Sequence, residues 1–263
     1  MELNNNNNDN NDNNDKHHTH QVINFYWSPI KEITNNIEHF CIKNNFKNIL
    51  EIGPGNVPFS LSTKTIGYNE MIKDYIELDI DIDRFPFENK FFDFVYSRHT
   101  LEDIQNPDFC MSEIIRVSNS GYIETPSPLI EVTKGVDASS KTLNYAGYIH
   151  HRYIVWSDIE KCEIYFLPKY NSIIDNFFEP NNDIKVNMFN IINNYPVYWN
   201  NYFIWDNKTP KIIMYKNGVN FGVKNHMIHD YINLLYKAID ISIKNTNYFF
   251  NNYFIDNLDK TLV

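Results

Sequence analysis

A short apolar strand that runs into a glycine turn constrains this chain more than any other feature. Residues 49–56 read Ile-Leu-Glu-Ile-Gly-Pro-Gly-Asn, so Glu51 stands close to the joint between strand and turn. Gly53 and Gly55 can adopt backbone angles closed to other residues and carry no Cβ, so a ligand can lie directly on the main chain there. The pattern favours a cofactor cradle, although glycine turns also close ordinary strand-to-loop junctions.

The length and composition of the chain fit one α/β domain with additions. Its 263 residues are 43% hydrophobic and 16% aromatic, which is enough to bury a sizeable core. Residues 4–15 are Asn and Asp alone, with no apolar side chain to offset the entropy of ordering. We therefore expect a disordered tail over residues 1–20 and a single domain over residues 21–263.

The acidic balance of the chain counts against nucleic acid as a partner. The formal net charge is -10 and the pI is near 5.3, with no cluster of Lys or Arg to neutralise phosphates. No apolar run reaches the roughly 18 residues that span a bilayer, and the first residues lack a basic region followed by an apolar stretch. The sequence predicts a cytoplasmic protein with no membrane partner.

The cysteines and the N-terminal histidines give no sign of a metal site. Cys41, Cys110 and Cys162 are odd in number and widely separated, which suits reduced, buried thiols better than disulfides or a zinc site. Three histidines between positions 17 and 20 lie beside the tail and could collect a metal adventitiously. We expect no bound metal.

Predicted strands and helices alternate through the first half of the chain. Ser28 and Pro29 are typical of a helix start, and apolar residues then recur at helical spacing up to about Lys43. Pro107 opens a second predicted helix that continues through Val117. Apolar segments typical of strands lie at 49–52, 65–68, 75–82, 92–97 and 121–124. Strands separated by helices predict a parallel sheet with right-handed crossovers.

Polar residues gather at one edge of this predicted sheet. Ligands of parallel sheets collect at the carboxyl ends of the strands. The residues at or just beyond such ends are Glu51, Gly53, Asp81, Ser97, His99 and Glu124. Several polar groups therefore converge where the glycine turn lies.

Four motifs, in their order and spacing, resemble the class I S-adenosylmethionine-dependent methyltransferases. They are Glu-Ile-Gly-Pro-Gly at 51–55, Asp-Ile-Asp-Arg-Phe-Pro-Phe at 81–87, Phe-Asp-Phe-Val at 92–95 and Ser-Arg-His-Thr-Leu-Glu at 97–102. The last is closest to the branch with a Ser-x-His-x-Leu-Glu-His signature after the fourth strand. The resemblance covers about residues 45–130, with a looser echo at 147–152. It implies a Rossmann-like sheet, mostly parallel with a C-terminal antiparallel hairpin, and helices on both faces.

The resemblance also implies roles for individual residues. In the family the glycine turn admits the methionine part of S-adenosyl-L-methionine, and a carboxylate and an apolar side chain flank the adenine. The implied cofactor-binding residues are Glu51, Gly53, Gly55, Glu70, Asp81, Ile82 and Ser97. The implied catalytic residues are His99, His150 and His151, since an oxygen acceptor must lose its proton and a histidine near neutral pKa suits that task. Displacement at a sulfonium methyl requires no metal.

Some of these residues have structural readings as well. His150, His151 and Arg152 either hang over the sheet edge, where they bind the acceptor or move a proton, or belong to a loop whose side chains cap a nearby helix or strand. Glu124 either faces the acceptor or bonds to local backbone amides. His39 and His229 sit on helical patterns and are predicted to be structural.

The chain also departs from the family pattern. The third glycine of the turn falls near Val57, and Pro58 follows at once, so the helix after the turn must be short or absent. Only residues 69–74 separate the second predicted strand from the third, although a parallel crossover usually needs a dozen residues or more. The final histidine of the branch signature is Asp103 here.

The second half of the chain is less regular. Residues 202–205 and 211–215 predict an antiparallel hairpin that would close the sheet. Apolar residues from Met227 to Ile239 recur at helical spacing, and the aromatic tail at 248–255 would either dock on the core or form a partner surface. Residues 157–200 are expected to hold an insertion over the acceptor side.

These features together predict an S-adenosylmethionine-dependent methyltransferase that acts at oxygen on a small-molecule or sugar-like (glycan) acceptor. A catalytically inactive, methyltransferase-like binding or scaffolding protein is the alternative, favoured by the short second crossover, the missing third glycine and Asp103. A dinucleotide-dependent oxidoreductase is a third reading, for which the glycine fingerprint is incomplete.

Overall fold

The computed structural model describes residues 31–68, 72, 74–137, 145–179, 195–215 and 226–253. The predicted tail over residues 1–20, the start of the first predicted helix, Glu70 and part of the 157–200 segment lie outside the described residues.

Helices and strands follow the predicted pattern through the first half of the chain. The α-helices are α1 (Lys31–Lys43), α2 (Pro107–Val117), α3 (Pro128–Glu131), α4 (Asn171–Phe177) and α5 (His226–Tyr253), with a 3₁₀ helix at Pro196–Trp199. The strands are β1 (Ile49–Ile52), β2 (Lys64–Gly67), β3 (Ile76–Glu77), β4 (Phe92–Arg98), β5 (Ser118–Pro126), β6 (Tyr153–Asp158), β7 (Glu163–Pro168), β8 (Asn200–Trp205) and β9 (Lys211–Met214).

The main sheet confirms the predicted Rossmann-like architecture. Its six strands run in the order β3-β2-β1-β4-β5-β8, and every pair is parallel except β5 with β8. β1 lies between β2 and β4 and is wholly buried, which explains its continuous apolar run. Its last residue, Ile52, pairs with Ser97 near the end of β4, so the glycine turn emerges beside His99.

The predicted C-terminal hairpin does not form, and this part of the prediction is corrected. β8 pairs antiparallel with β5, whereas β9 pairs parallel with β7 in a separate sheet of order β6-β7-β9. The Asp206 carboxylate accepts from the Ser120 hydroxyl at 2.7 Å, and the Asn207 N–H donates to the same hydroxyl. These bonds hold the end of β8 against β5. The chain then continues into β9, which belongs to the second sheet.

The crossovers of the first half carry fewer helices than the alternation predicted. Residues 53–63, between β1 and β2, are all described and contain no helix, which confirms the expectation of a short or absent helix after the glycine turn. β2 and β3 pair over two residues only, Ile66 with Ile76 and Gly67 with Glu77. The turn therefore lacks the helix dipole that usually faces an anionic group at this position.

The C-terminal helix closes the core behind the sheet. Within α5, Leu235 and Ile239 are buried as the periodicity predicts, and the helix continues into the aromatic tail. Phe249 is fully buried and stacks on Tyr202 of β8 with ring centroids 4.9 Å apart. The described part of the tail thus docks on the core, the first of the two readings.

The three cysteines are buried free thiols, as predicted. Burial raises the pKa of Cys41 to about 12, so this thiol stays protonated and unreactive. None of the described helices combines the length and the apolar character needed to cross a bilayer.

Candidate functional site

A cavity of about 410 Å³ lies at the carboxyl edge of the main sheet, where the sequence places its polar residues. It is bounded by the glycine turn after β1, the segment after β3 and the segment after β4. Its lining residues are Gly53, Gly55, Tyr68, Asp79, Ile80, Asp81, His99, Thr100, Asp103, Ile104, Gln105 and Arg152. The volume is in the range of about 300–1,000 Å³ that ligand pockets occupy.

The two glycines of the turn differ in what covers them. Both have left-handed backbone angles, with φ of +65° at Gly53 and +56° at Gly55. A Cβ built on Gly53 would lie 2.2 Å from the Thr100 hydroxyl oxygen, whereas one built on Gly55 would meet no atom within 4 Å. Gly53 therefore makes room for a side chain of the protein itself, and the open stretch of main chain is at Gly55.

Glu51 and Ser97 lie behind the cavity and do not line it. The Glu51 carboxylate is buried and accepts from the Phe59 N–H at 2.8 Å, so it holds the loop that follows the glycine turn. The Ser97 hydroxyl is also buried and donates to the Ile52 carbonyl at 3.2 Å. Ser97 thus ties β4 to β1, and it is not among the residues that line the cavity.

Asp81 lines the cavity with its carboxylate already engaged. The two carboxylate oxygens accept from the backbone N–H groups of Gln105, at 3.1 Å, and Asn106, at 2.6 Å. Asn106 is the residue that precedes α2, so Asp81 fixes the start of that helix to the segment after β3. A further acceptor role toward an adenine amine would have to share the same two oxygens.

Ile82 does not lie where the resemblance implied. Its side chain is 70% exposed and is not part of the cavity wall. The apolar part of the wall comes from Tyr68, Ile80 and Ile104. An adenine ring in this cavity would pack against those three side chains.

His99 lies at the centre of a buried carboxylate cluster and faces the cavity. Its backbone has φ of +50°, an angle that costs a non-glycine residue about 1–3 kcal/mol, and its N–H donates to the Glu124 carbonyl at 2.8 Å. The Nδ1 atom is 3.3 Å from the Glu102 carboxylate, and the Nε2 atom is 3.6 Å from that of Glu124. The main chain therefore holds the imidazole between two acids.

Glu124 is not among the residues that line the cavity, and the donors to its carboxylate are side chains rather than the local backbone amides considered for it. Its carboxylate accepts from Arg98 Nε at 3.2 Å, from Asn200 Nδ2 at 2.8 Å and from the Tyr122 hydroxyl at 2.5 Å. Burial raises the pKa of Glu124, but His99 and Arg98 outweigh burial and the net shift is downward. Glu124 is therefore an anion that can stabilise a positive charge on His99.

The same contacts raise the pKa of His99 above its ordinary value of 6.5. Burial alone would lower this pKa, but the adjacent Glu102 and Glu124 carboxylates favour the imidazolium more strongly. His99 then stabilises the folded state fully below pH 6.5, and this contribution is lost as the pH rises through the folded pKa.

We expect this linkage to appear in a comparison of the wild type with His99→Gln. The difference in free energy of unfolding, measured by urea denaturation at intervals from pH 6 to pH 9, should shrink as the pH rises. An NMR titration of the His99 imidazole should give a pKa above 6.5. A stability difference that grows with pH would contradict the arrangement described for this cluster.

His150 and His151 lie next to Asp103 rather than in the cavity wall. The Nε2 atom of His150 is 4.0 Å and that of His151 is 3.9 Å from the same Asp103 oxygen, and Asp103 itself lines the cavity. His150 is half exposed, and burial followed by the neighbouring His151 lowers its pKa. For Asp103, burial and then Glu102 raise the pKa to about 6. The two histidines reach the cavity only through Asp103.

His151 is part of a buried ion cluster with Glu131 and Lys169. Its Nδ1 atom is 2.7 Å from one Glu131 oxygen, and Lys169 Nζ donates to the other at 2.5 Å. Burial raises the pKa of Glu131, but Lys169 and His151 outweigh burial and bring it down to about 2. His151 thus anchors its loop to Glu131 of α3 through Nδ1, while its Nε2 atom is directed toward Asp103.

Sequence reasoning missed two residues that shape this site. Thr100 covers Gly53, and Lys169 joins the ion cluster from the end of β7. Arg152, which the sequence placed beside the two histidines, lines the cavity. The backbone N–H groups of Arg152 and Tyr153 both donate to the Glu102 carbonyl, at 2.8 and 3.1 Å, so the second sheet begins at the cavity. Thr100 occupies a variable position of the signature, and no local pattern marks Lys169.

Comparison with known protein families gives a match over only part of the chain. A family model described as a methyltransferase domain matches residues 50–123, less than a third of the chain. A search among curated proteins found no match.

Solved structures with some likeness to the chain are remote. An S-adenosylmethionine-dependent methyltransferase from Mesorhizobium loti is 16% identical over 32% of this chain and 49% of that chain, with a TM-score of 0.27. One from Clostridium acetobutylicum is 13% identical, with 40% and 54% covered and a TM-score of 0.32. The N-terminal domain of EvdMO1, solved with SAH and D-fucose, is 17% identical, with 38% and 53% covered and a TM-score of 0.30.

The chain spans about half the length of the solved structures it matches. TM-scores this low add nothing to the fold assignment, which rests on the strand order and pairing. The methyltransferase-domain match begins in β1 and ends in β5, and it contains the glycine turn, Asp81 and His99.

Proposed function

We propose that this chain is an S-adenosylmethionine-dependent methyltransferase that transfers a methyl group to an oxygen of a small-molecule or glycan acceptor. The observation that carries the proposal is the empty space beside the Cα atom of Gly55, which belongs to a cavity at the carboxyl edge of a mostly parallel sheet. The methyltransferase-domain match over residues 50–123 supports it, because the same residues build this cavity.

The residues around the cavity fit this cofactor in a particular orientation. The methionine part would lie on the main chain at Gly55, because Thr100 covers Gly53. The adenine would lie against Tyr68, Ile80 and Ile104, the apolar part of the wall. When bound, the cofactor supplies a methyl group on a positively charged sulfur. The carboxylates that line the cavity suit that charge.

His99, Asp103 and Arg152 form the end of the cavity that would receive the acceptor. Their polar groups can orient hydroxyls of a small polar molecule and exclude water from the reacting atoms. We assign the removal of the hydroxyl proton to His99, because this histidine lines the cavity. Because its pKa is raised, we infer that the rate increases with pH through that pKa. A cytoplasmic location belongs to the same proposal and is supported by the three buried free thiols.

The cofactor part of the proposal is tested by calorimetry on the wild type. We expect S-adenosylmethionine and S-adenosylhomocysteine to bind one molecule per chain and to raise the melting temperature. A ligand at 100 times its dissociation constant stabilises the folded state by about 2.7 kcal/mol. NAD⁺ serves as the matched control, because heat with NAD⁺ alone would favour an oxidoreductase instead.

The acceptor part needs a separate readout. Release of S-adenosylhomocysteine should be measured with panels of sugars, phenols and amines, in the presence and absence of each candidate acceptor. Turnover with hydroxyl compounds supports transfer to oxygen. Turnover confined to amines would contradict it.

A catalytically inactive binding protein is the second candidate. Two observations favour it: the Thr100 side chain over Gly53, and the absence of a helix in residues 53–63. Both reduce the contacts that the main chain can offer to an anionic group. No heat and no thermal shift at millimolar S-adenosylmethionine would decide for this candidate.

A further inference from the structure

We propose that Asp103, His150 and His151 form a binding site for a divalent first-row transition-metal ion at the acceptor end of the cavity. Each residue offers one ligand atom, and the three atoms lie within 4.8 Å of one another. Two imidazole nitrogens and one carboxylate oxygen are a ligand set that such ions bind with further positions left open.

The orientation of His151 suits a metal ligand. Its Nδ1 atom contacts the buried Glu131 carboxylate at 2.7 Å, which directs the Nε2 atom toward Asp103. A histidine that binds a metal through one nitrogen commonly donates from the other to a carboxylate, which fixes both the tautomer and the ring orientation. Glu131 supplies that second contact, and Lys169 holds Glu131 in place from its far side.

Asp103 provides an independent observation that points to a ligand. Its Oδ1 atom is buried, and none of the described residues forms a hydrogen bond with it. The same atom is the one that both histidines face, at 4.0 and 3.9 Å. A buried carboxylate oxygen without a donor is costly, and a bound cation would satisfy it.

The charges around the three ligands also favour a cation. The Glu102 and Glu131 carboxylates are buried next to the cluster. Lys169 is paired with Glu131, and Arg152 lies on the cavity wall nearby. Apart from the histidines, the surroundings of the site therefore contain three carboxylates, including Asp103, and two cationic side chains.

The ligand atoms must move closer together to bind one ion. Ligand atoms bound at about 2.1 Å to one ion lie roughly 3–3.5 Å apart, so the Asp103–histidine separations of 4.0 and 3.9 Å must shrink by roughly 0.5–1 Å, and any separation at the 4.8 Å limit by more. Asp103 and His150 can supply this movement because their side chains are 39% and 53% exposed. The mixed nitrogen and oxygen set favours Zn²⁺, Co²⁺ or Mn²⁺ over Ca²⁺ and Mg²⁺, which prefer oxygen ligands.

A metal at this position would face the cavity, because Asp103 lines it. Its open positions would bind oxygen atoms of the acceptor, a role that rests on the proposed function. The metal site itself does not rest on that function. It also departs from the expectation of no bound metal.

The test must exclude adventitious binding by those N-terminal histidines. We therefore choose the full chain with His17→Ala, His18→Ala and His20→Ala, purified without an affinity tag, as the background. Zn²⁺ is titrated by calorimetry in the absence of S-adenosylmethionine, and Co²⁺ is followed by its visible absorption. We expect one Zn²⁺ per chain in this background and a Co²⁺ spectrum typical of nitrogen and oxygen ligands.

Two substitutions in this background carry the test. Asp103→Ala and His150→Ala should each weaken Zn²⁺ binding at least tenfold and abolish the Co²⁺ spectrum, whereas the control His39→Ala, on the exposed side of α1, should leave both unchanged. Both ligands chosen are partly exposed, so their loss should spare the fold, and circular dichroism of each variant checks this.

Stoichiometry near zero in the background, or Zn²⁺ affinity unchanged by Asp103→Ala, would overturn the metal site. S-adenosylmethionine binding without Zn²⁺ binding would contradict this inference alone. Zn²⁺ binding without S-adenosylmethionine binding would contradict the proposed function alone.

Discussion

Glu131→Gln is expected to lower the free energy of unfolding by about 3–5 kcal/mol. The side chains of Glu131 and Lys169 are 1% and 0% exposed, and Glu131 also contacts His151. Removal of the carboxylate charge leaves the Lys169 ammonium buried without its counter-ion. A cost of this size is a large fraction of the stability of a typical domain.

A double substitution separates the energy of the Glu131–Lys169 interaction from the cost of leaving either charge buried alone. Lys169→Met alone should be similarly costly, whereas Glu131→Gln with Lys169→Met should recover much of the loss, because no unpaired charge then remains buried. Lys211→Met is the matched control: Lys211 pairs with Glu163 at 2.8 Å but is 69% exposed, so its loss should cost less than about 1 kcal/mol. Additive losses in the double variant would contradict the buried pair.

The free energy of unfolding should also depend on pH, in a direction set by the lowered pKa of Glu131. The pKa of Glu131 is about 2 in the folded protein, compared with the ordinary value of 4.5 that applies to the unfolded chain. A depressed carboxyl pKa adds stability that is present above pH 4.5 and is lost as the pH falls toward 2. The wild type should therefore lose stability over that window more steeply than Glu131→Gln, as measured by urea denaturation at each pH.

Gly55→Val is expected to abolish binding of S-adenosylmethionine and to leave the fold intact. Space for a side chain exists at Gly55, since a Cβ there meets no atom within 4 Å, but that space is the cavity itself. Calorimetry with the intact cofactor should therefore show at least a hundredfold loss of affinity. Because φ is +56°, both Gly55→Val and Gly55→Ala carry backbone strain of about 1–3 kcal/mol.

Gly55→Ala serves as the control for that strain. It shares the unfavourable backbone angle but fills the cavity with one methyl group only, so its affinity should lie between the wild type and Gly55→Val. Equal affinity in all three proteins would show that the cofactor does not lie on this turn. Gly53 is unsuitable for this purpose, because a side chain there collides with Thr100 and would disturb the fold.

The sequence predicts the first half of the fold because local patterns determine it. The apolar run of β1, the proline at the start of α2 and the spacing of the strand-end residues all report directly on backbone structure. These patterns also placed Gly55, Asp81 and His99 at one edge, where the cavity lies.

Contacts between distant parts of the chain could not be predicted in this way. Lys169 pairs with Glu131 across 38 residues, and Thr100 covers Gly53 from the neighbouring strand end. β8 pairs with β5, and Asp206 bonds to Ser120 across the sheet, 86 residues apart. Neither residue type nor periodicity carries information about such pairs, so the covering of Gly53 and the separation of β8 from β9 were not predicted.

The junction at Glu102 has a consequence for how this protein can diversify. Its carbonyl receives the N–H groups of Arg152 and Tyr153, so the β6-β7-β9 sheet is anchored beside His99 and far along the chain from the turn at Gly55. Substitutions in that smaller sheet can shift Arg152 while the turn stays as it is. Selectivity for the recipient molecule can therefore drift, or be engineered, separately from the donor half.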